Sequence, residues 1–243
     1  MLCHFALSVR ALTPDEWEAL RVSLGVGVCA TLVIAIPGIA LGWLLARRTF
    51  PGKLLLDALV HLPLVLTPVV VGYLLLLVFG RGGLLGPMLD ALGIEVAFTF
   101  LGAVLAAAVV ALPLVVRSVR AAVELVDPGL EEAAAVLGAG PFRRLFTITL
   151  PLAAPGIVAG LVLGFARSLG EFGATITLAG SIAGETRTLP IAIYQNTQVP
   201  GGDAAALRMT LASVALSVLA LAASELVLRR LRARAASAAG RDA

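Results

Sequence analysis

Between Val22 and Ala46 the chain runs for 25 residues without a charge, and no other feature limits its fold as severely. About 20 predominantly apolar residues suffice to carry a helix across a hydrocarbon core. Further apolar runs with at most one charge recur at about 58–79, 96–116, 151–170 and 209–228. Composition agrees: 60% of the 243 residues are hydrophobic, only 14% are charged and the mean hydropathy is +1.02, whereas soluble domains carry about 25% charged residues. The sequence therefore predicts an all-α membrane protein whose five transmembrane helices form one domain over 1–243. The formal charge of +3 does not mark a nucleic-acid binder, because the basic residues gather at the ends of the apolar runs. The positive-inside rule places them there.

The ends and interruptions of these runs carry the local signals. Thr13-Pro14-Asp15-Glu16 reads as a capping box with proline at the first helical position. It predicts a short helix on the membrane surface anchored by Trp17, the alternative being a plain lead-in to span one. Gly38 and Gly42 in span one, and Gly156, Gly160, Gly164 and Ser168 in span four, are small residues at a spacing of four, which allows a neighbouring helix to approach closely. Pro63 and Pro68 each release a carbonyl from the ladder of span two, so a bend is expected there. His61, one turn after Asp57, reads as an interfacial residue rather than a proton carrier. Gly82-Gly83 and Gly86-Pro87 are turn signals in the following loop. From Gly170 to Gly202 the chain is interrupted by Gly, Thr, Pro and charges and offers no clean span, leaving open whether part of it is re-entrant. Cys3 and Cys29 lie in the N-terminal segment and inside span one, so no disulfide framework is expected, nor is a cleavable signal peptide.

Five spans fix a topology that the charges can test. The segments 47–57 and 117–150 and the tail after 228 hold 12 of the 18 basic residues. That bias places them in the cytoplasm, the N-terminus outside and the C-terminus inside. No residues suggest catalysis, a cofactor or a metal: the two histidines and two cysteines lack ligand spacing, and Gly52-Lys53 is followed by Leu54 without the upstream glycine of a phosphate loop. Energy must then come from another polypeptide or an ion gradient. The polar insert at about 117–150 argues for a polypeptide. Asp127-Pro128 is a good N-cap, Glu131 and Glu132 lie near the positive end of a helix dipole, Ala133, Ala134 and Leu137 are strong helix formers, and Gly138 is the natural left-handed stop. Pro141 can start a second helix leading into span four. The product is a helix–Gly–helix elbow, which the residues alone do not distinguish from a well-capped surface loop.

A resemblance decides between those readings. Glu132-Ala133-Ala134, Gly138 and then Ile148-Thr149-Leu150-Pro151 stand at the spacing E-A-A-x3-G-x9-I-x-L-P, which resembles the signature of bacterial ABC importer permeases. Thr49-Phe50-Pro51-Gly52-Lys53, the stretch from His61 to Tyr73, Ala166-Arg167-Ser168-Leu169-Gly170-Glu171-Phe172-Gly173-Ala174-Thr175 and Gly184-Glu185-Thr186-Arg187-Thr188 further resemble the molybdate permease subunits of that class. The resemblance implies the ABC importer permease fold, a homodimer around one pathway in the bacterial inner membrane, two cytoplasmic ABC ATPase subunits and a periplasmic oxyanion-binding protein. It also implies that Glu131, Glu132, Ala133, Ala134, Leu137, Gly138, Ile148, Leu150 and Pro151 belong to the loop that couples to the ATPase. Sulfate or thiosulfate import is the nearest alternative, and nothing in the sequence separates tungstate from molybdate. An ion-coupled transporter would want ionisable residues near mid-span, whereas His61, Arg167 and Glu171 sit towards the ends.

The remaining candidates for a gate or pathway are Pro63, Pro68, Arg167, Ser168, Glu171 and Thr175. Arg167 and Glu171 are four apart, hence on one helix face. At a rise of ~1.5 Å per residue, Arg167 would lie roughly 24 Å beyond Pro151, near the outer boundary. There the two form either an interfacial ion pair that fixes the helix end or part of an outer gate.

Overall fold

The computed structural model describes residues 12–239, so Cys3 lies outside the described residues. Those residues form helices and no strand: α1 (Pro14–Arg47), α2 (Lys53–Val65), α3 (Pro68–Phe79), α4 (Gly86–Ala91), α5 (Phe100–Glu124), α6 (Pro128–Val136), α7 (Pro141–Arg144), a π-helical turn (Leu145–Thr149), α8 (Leu150–Leu169), α9 (Gly173–Ala179), α10 (Leu189–Thr197) and α11 (Asp203–Ala239). Four stretches are long and apolar enough to cross a membrane, and α2 with α3 supply a fifth if the broken pair makes one crossing.

α5 is the axis of the bundle. Its Val104, Ala107, Ala111, Val115, Val119 and Val123 are buried in one cluster with Val26, Ala30 and Ile34 of α1 and Ala153 and Ile157 of α8. Another face packs Ala106 and Val110 on Val71 of α3 and on Ala174 and Leu178 of α9. Between lipid-embedded helices apolar area supplies no net drive, so close backbone approach matters more. The small-residue stripes supply that approach from both sides of α5. A Cβ on Gly38 would lie 2.8 Å from Val115 Cγ1, on Gly42 2.7 Å from Val119 Cβ, on Gly160 2.7 Å from Ser118 Cβ and on Gly164 2.7 Å from Val115 Cγ2.

Several ends differ from the sequence expectation. The capping box forms, with Glu16 N–H donating to Thr13 Oγ1 (3.4 Å) and Thr13 N–H to Glu16 Oε2 (3.0 Å). It starts α1 itself rather than a separate surface helix, because nothing between Pro14 and Val22 breaks the helical ladder. α5 begins at Phe100 and runs on to Glu124 instead of spanning 96–116. Arg120 explains the extension: it bonds Glu124 (2.9 Å) one turn ahead and Asp57 of α2 (3.1 Å), so charges that were expected to end the helix stabilise its continuation. Span two is broken rather than bent. α2 ends at Val65, α3 starts at Pro68, and the axis turns by 117°. Pro63 and Pro68 lack the N–H groups that would hold the Leu59 and Leu64 carbonyls. α11 starts at Asp203, earlier than the expected 209.

Candidate functional site

The elbow forms between α5 and α8 as its residues dictate. Asp127 Oδ1 accepts the Gly129 N–H at 2.9 Å, with Pro128 at the first helical position of α6. At the far end Gly138 takes φ 84°, while its N–H donates to Ala135 O (2.9 Å) and the Ala139 N–H donates to Ala134 O (2.9 Å). This paired pattern is a Schellman stop, and only a residue at ease with positive φ completes it cheaply. No residue of α6 is buried. Val136 and Leu137 are 88% and 87% exposed, and Phe142 of α7 is 76% exposed. Val136, Leu137 and Phe142 thus form an exposed apolar patch on the elbow, whose first helix is firmly capped.

The expected second helix is shorter than its sequence suggests. α7 has four residues and passes directly into the π-turn Leu145–Thr149, where the Leu150 N–H reaches back to Leu145 O. Pro151 and Pro155 leave the carbonyls four residues earlier without their usual donors, which lets the ladder widen at the start of α8. Thr149, the unspecified position inside the I-x-L-P pattern, is 1% exposed, whereas Pro151 is exposed and Ile148 and Leu150 are half-buried.

Glu131 ties this assembly together. Its Oε1 accepts from Thr149 Oγ1 at 2.7 Å and lies 3.2 Å from Arg47 Nη2, and its carbonyl faces Arg144 Nη1 at 3.5 Å. Arg47 also donates to the Val126 carbonyl at 2.7 Å. One carboxylate thus joins the end of α1, the elbow helix and the start of α8. Sequence reading placed Glu131 near a helix dipole but passed over Arg47 and Thr149 as its partners, since a contact 84 positions apart leaves no periodic trace. Glu132, Ala133 and Leu137 make no side-chain bond among the described residues and stand exposed beside this clasp. A second polar cluster lies at the same end of the bundle. His61 Nδ1 sits 3.1 Å from Asp57 Oδ1, and Asp57 in turn pairs with Arg120, consistent with an interfacial histidine.

The other candidates meet at the opposite end. Arg167 Nη2 lies 2.8 Å from Glu171 Oε2, and Glu171 is 2% exposed. Its Oε1 accepts the Ala174 N–H at 2.8 Å, so the same carboxylate that closes α8 opens α9. Ser168 Oγ is spent on the Gly164 carbonyl at 2.9 Å. Thr175 is 1% exposed and its hydroxyl has no partner among the described residues. α9 folds back into the bundle: a Cβ on Gly173 would stand 2.9 Å from Pro68 Cβ, and one on Gly72 2.6 Å from the Ala174 carbonyl. Pro68 therefore joins the 167–175 group, while Pro63 lies a turn away inside α2. The segment 170–202, unreadable as a span, is an inserted helix followed by α10, which packs through Leu189 and Ala192 on Ala19 of α1 and Met209 of α11. Arg208 closes that corner by bonding the buried Glu16, its Nε 3.2 Å from both carboxylate oxygens.

A family model described as "Binding-protein-dependent transport system inner membrane component" matches residues 38–233. The molybdenum transport system permease protein ModB of Escherichia coli K12 is 56% identical over 225 residues, 92% of this chain and 98% of that protein. The sulfate transport system permease protein CysW of Synechococcus elongatus is 39% identical over 178 residues, 73% of this chain and 62% of that protein. Among solved structures, a bacterial ABC transporter involved in alginate import superposes with a TM-score of 0.73 at 20% identity, over 93% of this chain and 82% of that one. At that identity the likeness is one of fold.

Proposed function

This chain belongs to the binding-protein-dependent transport system inner membrane components, and from that premise we propose that it is the permease subunit of an ATP-driven molybdate importer. It is a multi-pass protein of the inner membrane and a transport component, not itself a catalyst. The observation that carries the substrate is the near-full-length identity with the E. coli molybdenum permease, well above that with the sulfate permease. Tungstate, a tetrahedral dianion like molybdate, is a second cargo of the same path. Two copies of the chain form that path. Two ATPase subunits bind on the cytoplasmic side, and an oxyanion-binding protein delivers cargo from the periplasm. The charge bias supports a periplasmic N-terminus and a cytoplasmic C-terminus. The chain has no phosphate-loop sequence, which leaves nucleotide hydrolysis to its partners.

In this reading the exposed face of α6, with Leu137 and the Gly138 turn, sits in the ATPase and moves with it. Glu131 converts that movement into displacement of α1 and α8 together, because it bonds Arg47 and Thr149 at once. At the periplasmic end the Glu171 carboxylate, shared between Arg167 and the α9 backbone, holds α9 against α3. Rearranging that contact opens or closes the outer mouth, with Pro68, Ser168 and Thr175 beside it. No basic side chain lies mid-span, which suits a path that must release its anion rather than retain it.

Reconstitution tests the reading. Vesicles carrying this chain, its ATPase and its binding protein should take up molybdate on ATP addition. Uptake without the ATPase would overturn the ABC assignment, and faster uptake with sulfate-loaded binding protein would overturn the cargo. Arg167→Ala should lower uptake while the ATPase still co-purifies; unchanged uptake would remove Arg167 from the outer mouth.

A further inference from the structure

A hollow of about 440 Å³ opens between α6 and the inner ends of α1 and α8. α6 contributes Pro128, Glu131 and Glu132 to it, and at 100° per residue these lie opposite Leu130 and Leu137. The hollow therefore opens on the side of α6 turned away from Leu130 and Leu137, although Glu131 and Glu132 of the coupling loop line it. Three guanidinium groups line it, Arg47, Arg48 and Arg144, against the two carboxylates Glu131 and Glu132. Glu131 is already engaged by Arg47 and Thr149. Arg48 stands over the Trp43 ring, 5.7 Å from its centroid, and makes no ion pair among the described residues. The Nε atoms of Arg47 and Arg144 are buried and have no acceptor among the described residues. Both guanidinium groups thus carry donor capacity that the described chain does not use, although Arg47 Nη2 is held by the Val126 carbonyl and by Glu131.

The level of the hollow says which acceptor is at hand. Trp43 lies one turn before the end of the uncharged run of α1, and Leu145 and Thr149 stand where α8 enters its apolar stretch. That is the headgroup layer, where tryptophan and arginine side chains gather. A phosphodiester offers several acceptor oxygens in the geometry that guanidinium forks match. A trimethylammonium group beside three arginines would be repelled. We propose that this hollow holds the phosphodiester headgroup of an anionic phospholipid, which links the elbow, α1 and α8 to the membrane itself.

The two tryptophans make this measurable, because Trp17→Phe leaves Trp43 as the sole indole, in the wall of the hollow. The full-length Trp17→Phe chain is placed in phosphatidylcholine vesicles containing a small, equal fraction of either phosphatidylglycerol or phosphatidylcholine brominated near the headgroup, in both leaflets. Trp43 fluorescence should report brominated phosphatidylglycerol enriched by about five-fold for each engaged guanidinium, the factor that matches the usual attraction of one such charge to an anionic lipid. The preference should fall in Arg48→Gln, whose side chain is exposed and whose loss leaves the fold intact, and vanish in Arg48→Gln/Arg144→Gln. Equal quenching by the two lipids would overturn the proposal, as would an undiminished preference in both variants. Loss of the preference on adding millimolar inorganic phosphate would also overturn it, by assigning the hollow to a free anion.

Discussion

α6 and α9 are built from nearly the same local instructions and serve opposite ends. Each is a short helix, nine and seven residues, and each is stopped by a glycine at positive φ, Gly138 at 84° and Gly180 at 70°. α6 has no buried residue, whereas Gly173, Ala174, Thr175, Leu178 and Ala179 of α9 are all buried. Even their anchors correspond. One carboxylate, Glu131, ties α6 to α1 and α8, and one carboxylate, Glu171, ties α9 to the end of α8. What differs is which neighbour each meets. α9 packs within the chain, whereas α6 leaves Val136 and Leu137 exposed, the pair proposed above to meet the ATPase. Capping and stop signals define short helices; only packing partners say whether they face inward or outward.

Crowding α9 should have the largest effect. Gly72 of α3 meets the Ala174 backbone so closely that an added Cβ would lie 2.6 Å from its carbonyl oxygen and 2.8 Å from its Cα. Backbone cannot swing aside as a side chain does. Gly72→Leu should therefore cost about 3 kcal/mol, at the upper end of ordinary overpacking, seen as a lower thermal midpoint of the detergent-solubilised chain. An unchanged midpoint would show α9 to be as loosely held as α6.

Breaking the α6 anchor comes next. Glu131→Ala removes the acceptor of Thr149 Oγ1 and the counter-charge of Arg47, whose side chain is only 15% exposed. Hydrogen bonds to charged groups contribute about 1.5–3 kcal/mol, so the link between elbow and spans should weaken by ten-fold or more. In the reconstituted complex, molybdate uptake per ATP should fall by that order while hydrolysis continues. Arg47→Gln combined with Glu131→Ala should lose less stability than Glu131→Ala alone, since the unpaired charge goes with its partner. Equal loss in both would show that the pair is not coupled.

How much of this was legible in the sequence follows from range. The Thr13 box, the Gly138 stop and the glycine stripes are local or periodic, and each forms at the residues that signal it, whereas the apolar runs appear with shifted ends and span two broken. The break at Leu66-Thr67 was half legible: two prolines announced a disturbance, but its 117° size goes with α3 packing on α9, which no local pattern shows. The pairs Arg47–Glu131 and Glu16–Arg208 were illegible, because contacts between distant helices follow no period. Their residues looked like topology markers and caps. The extension of α5 to Glu124 was illegible for a related reason: the apolar run ends at 116, and only the folded chain brings Asp57 beside Arg120.

Gly138→Val should have a smaller effect and a different cause from Gly72→Leu. A Cβ at Gly138 meets nothing within 4 Å, so only its φ of 84° resists substitution. A β-branched residue in that region costs roughly 1–2 kcal/mol, confined to the elbow. The spans should form with an unaltered thermal midpoint while ATPase binding or coupled uptake falls. Gly138→Asn, which tolerates left-handed backbone, should stay near wild type. Equal harm from both substitutions would point to contact with the ATPase rather than backbone strain.

Leu137→Ser isolates what exposure at the elbow is for. Its side chain is 87% exposed and touches no core cluster, so stability should change by less than about 0.5 kcal/mol, as for ordinary surface substitutions. In an isolated chain the change removes an apolar patch and should even improve solubility. In the complex the same leucine is proposed to be desolvated against the ATPase, where losing a buried leucine side chain costs about 1.5–3 kcal/mol of contact. ATPase retention on the solubilised permease should then drop by ten-fold or more, with the thermal midpoint unmoved. Leu178, buried in α9 at the other end, gives the opposite pairing: Leu178→Ser should lower the midpoint by several degrees and leave ATPase retention per folded chain unchanged. If Leu137→Ser lowers the midpoint instead, α6 packs on its own chain as α9 does, and the contrast between the two helices collapses.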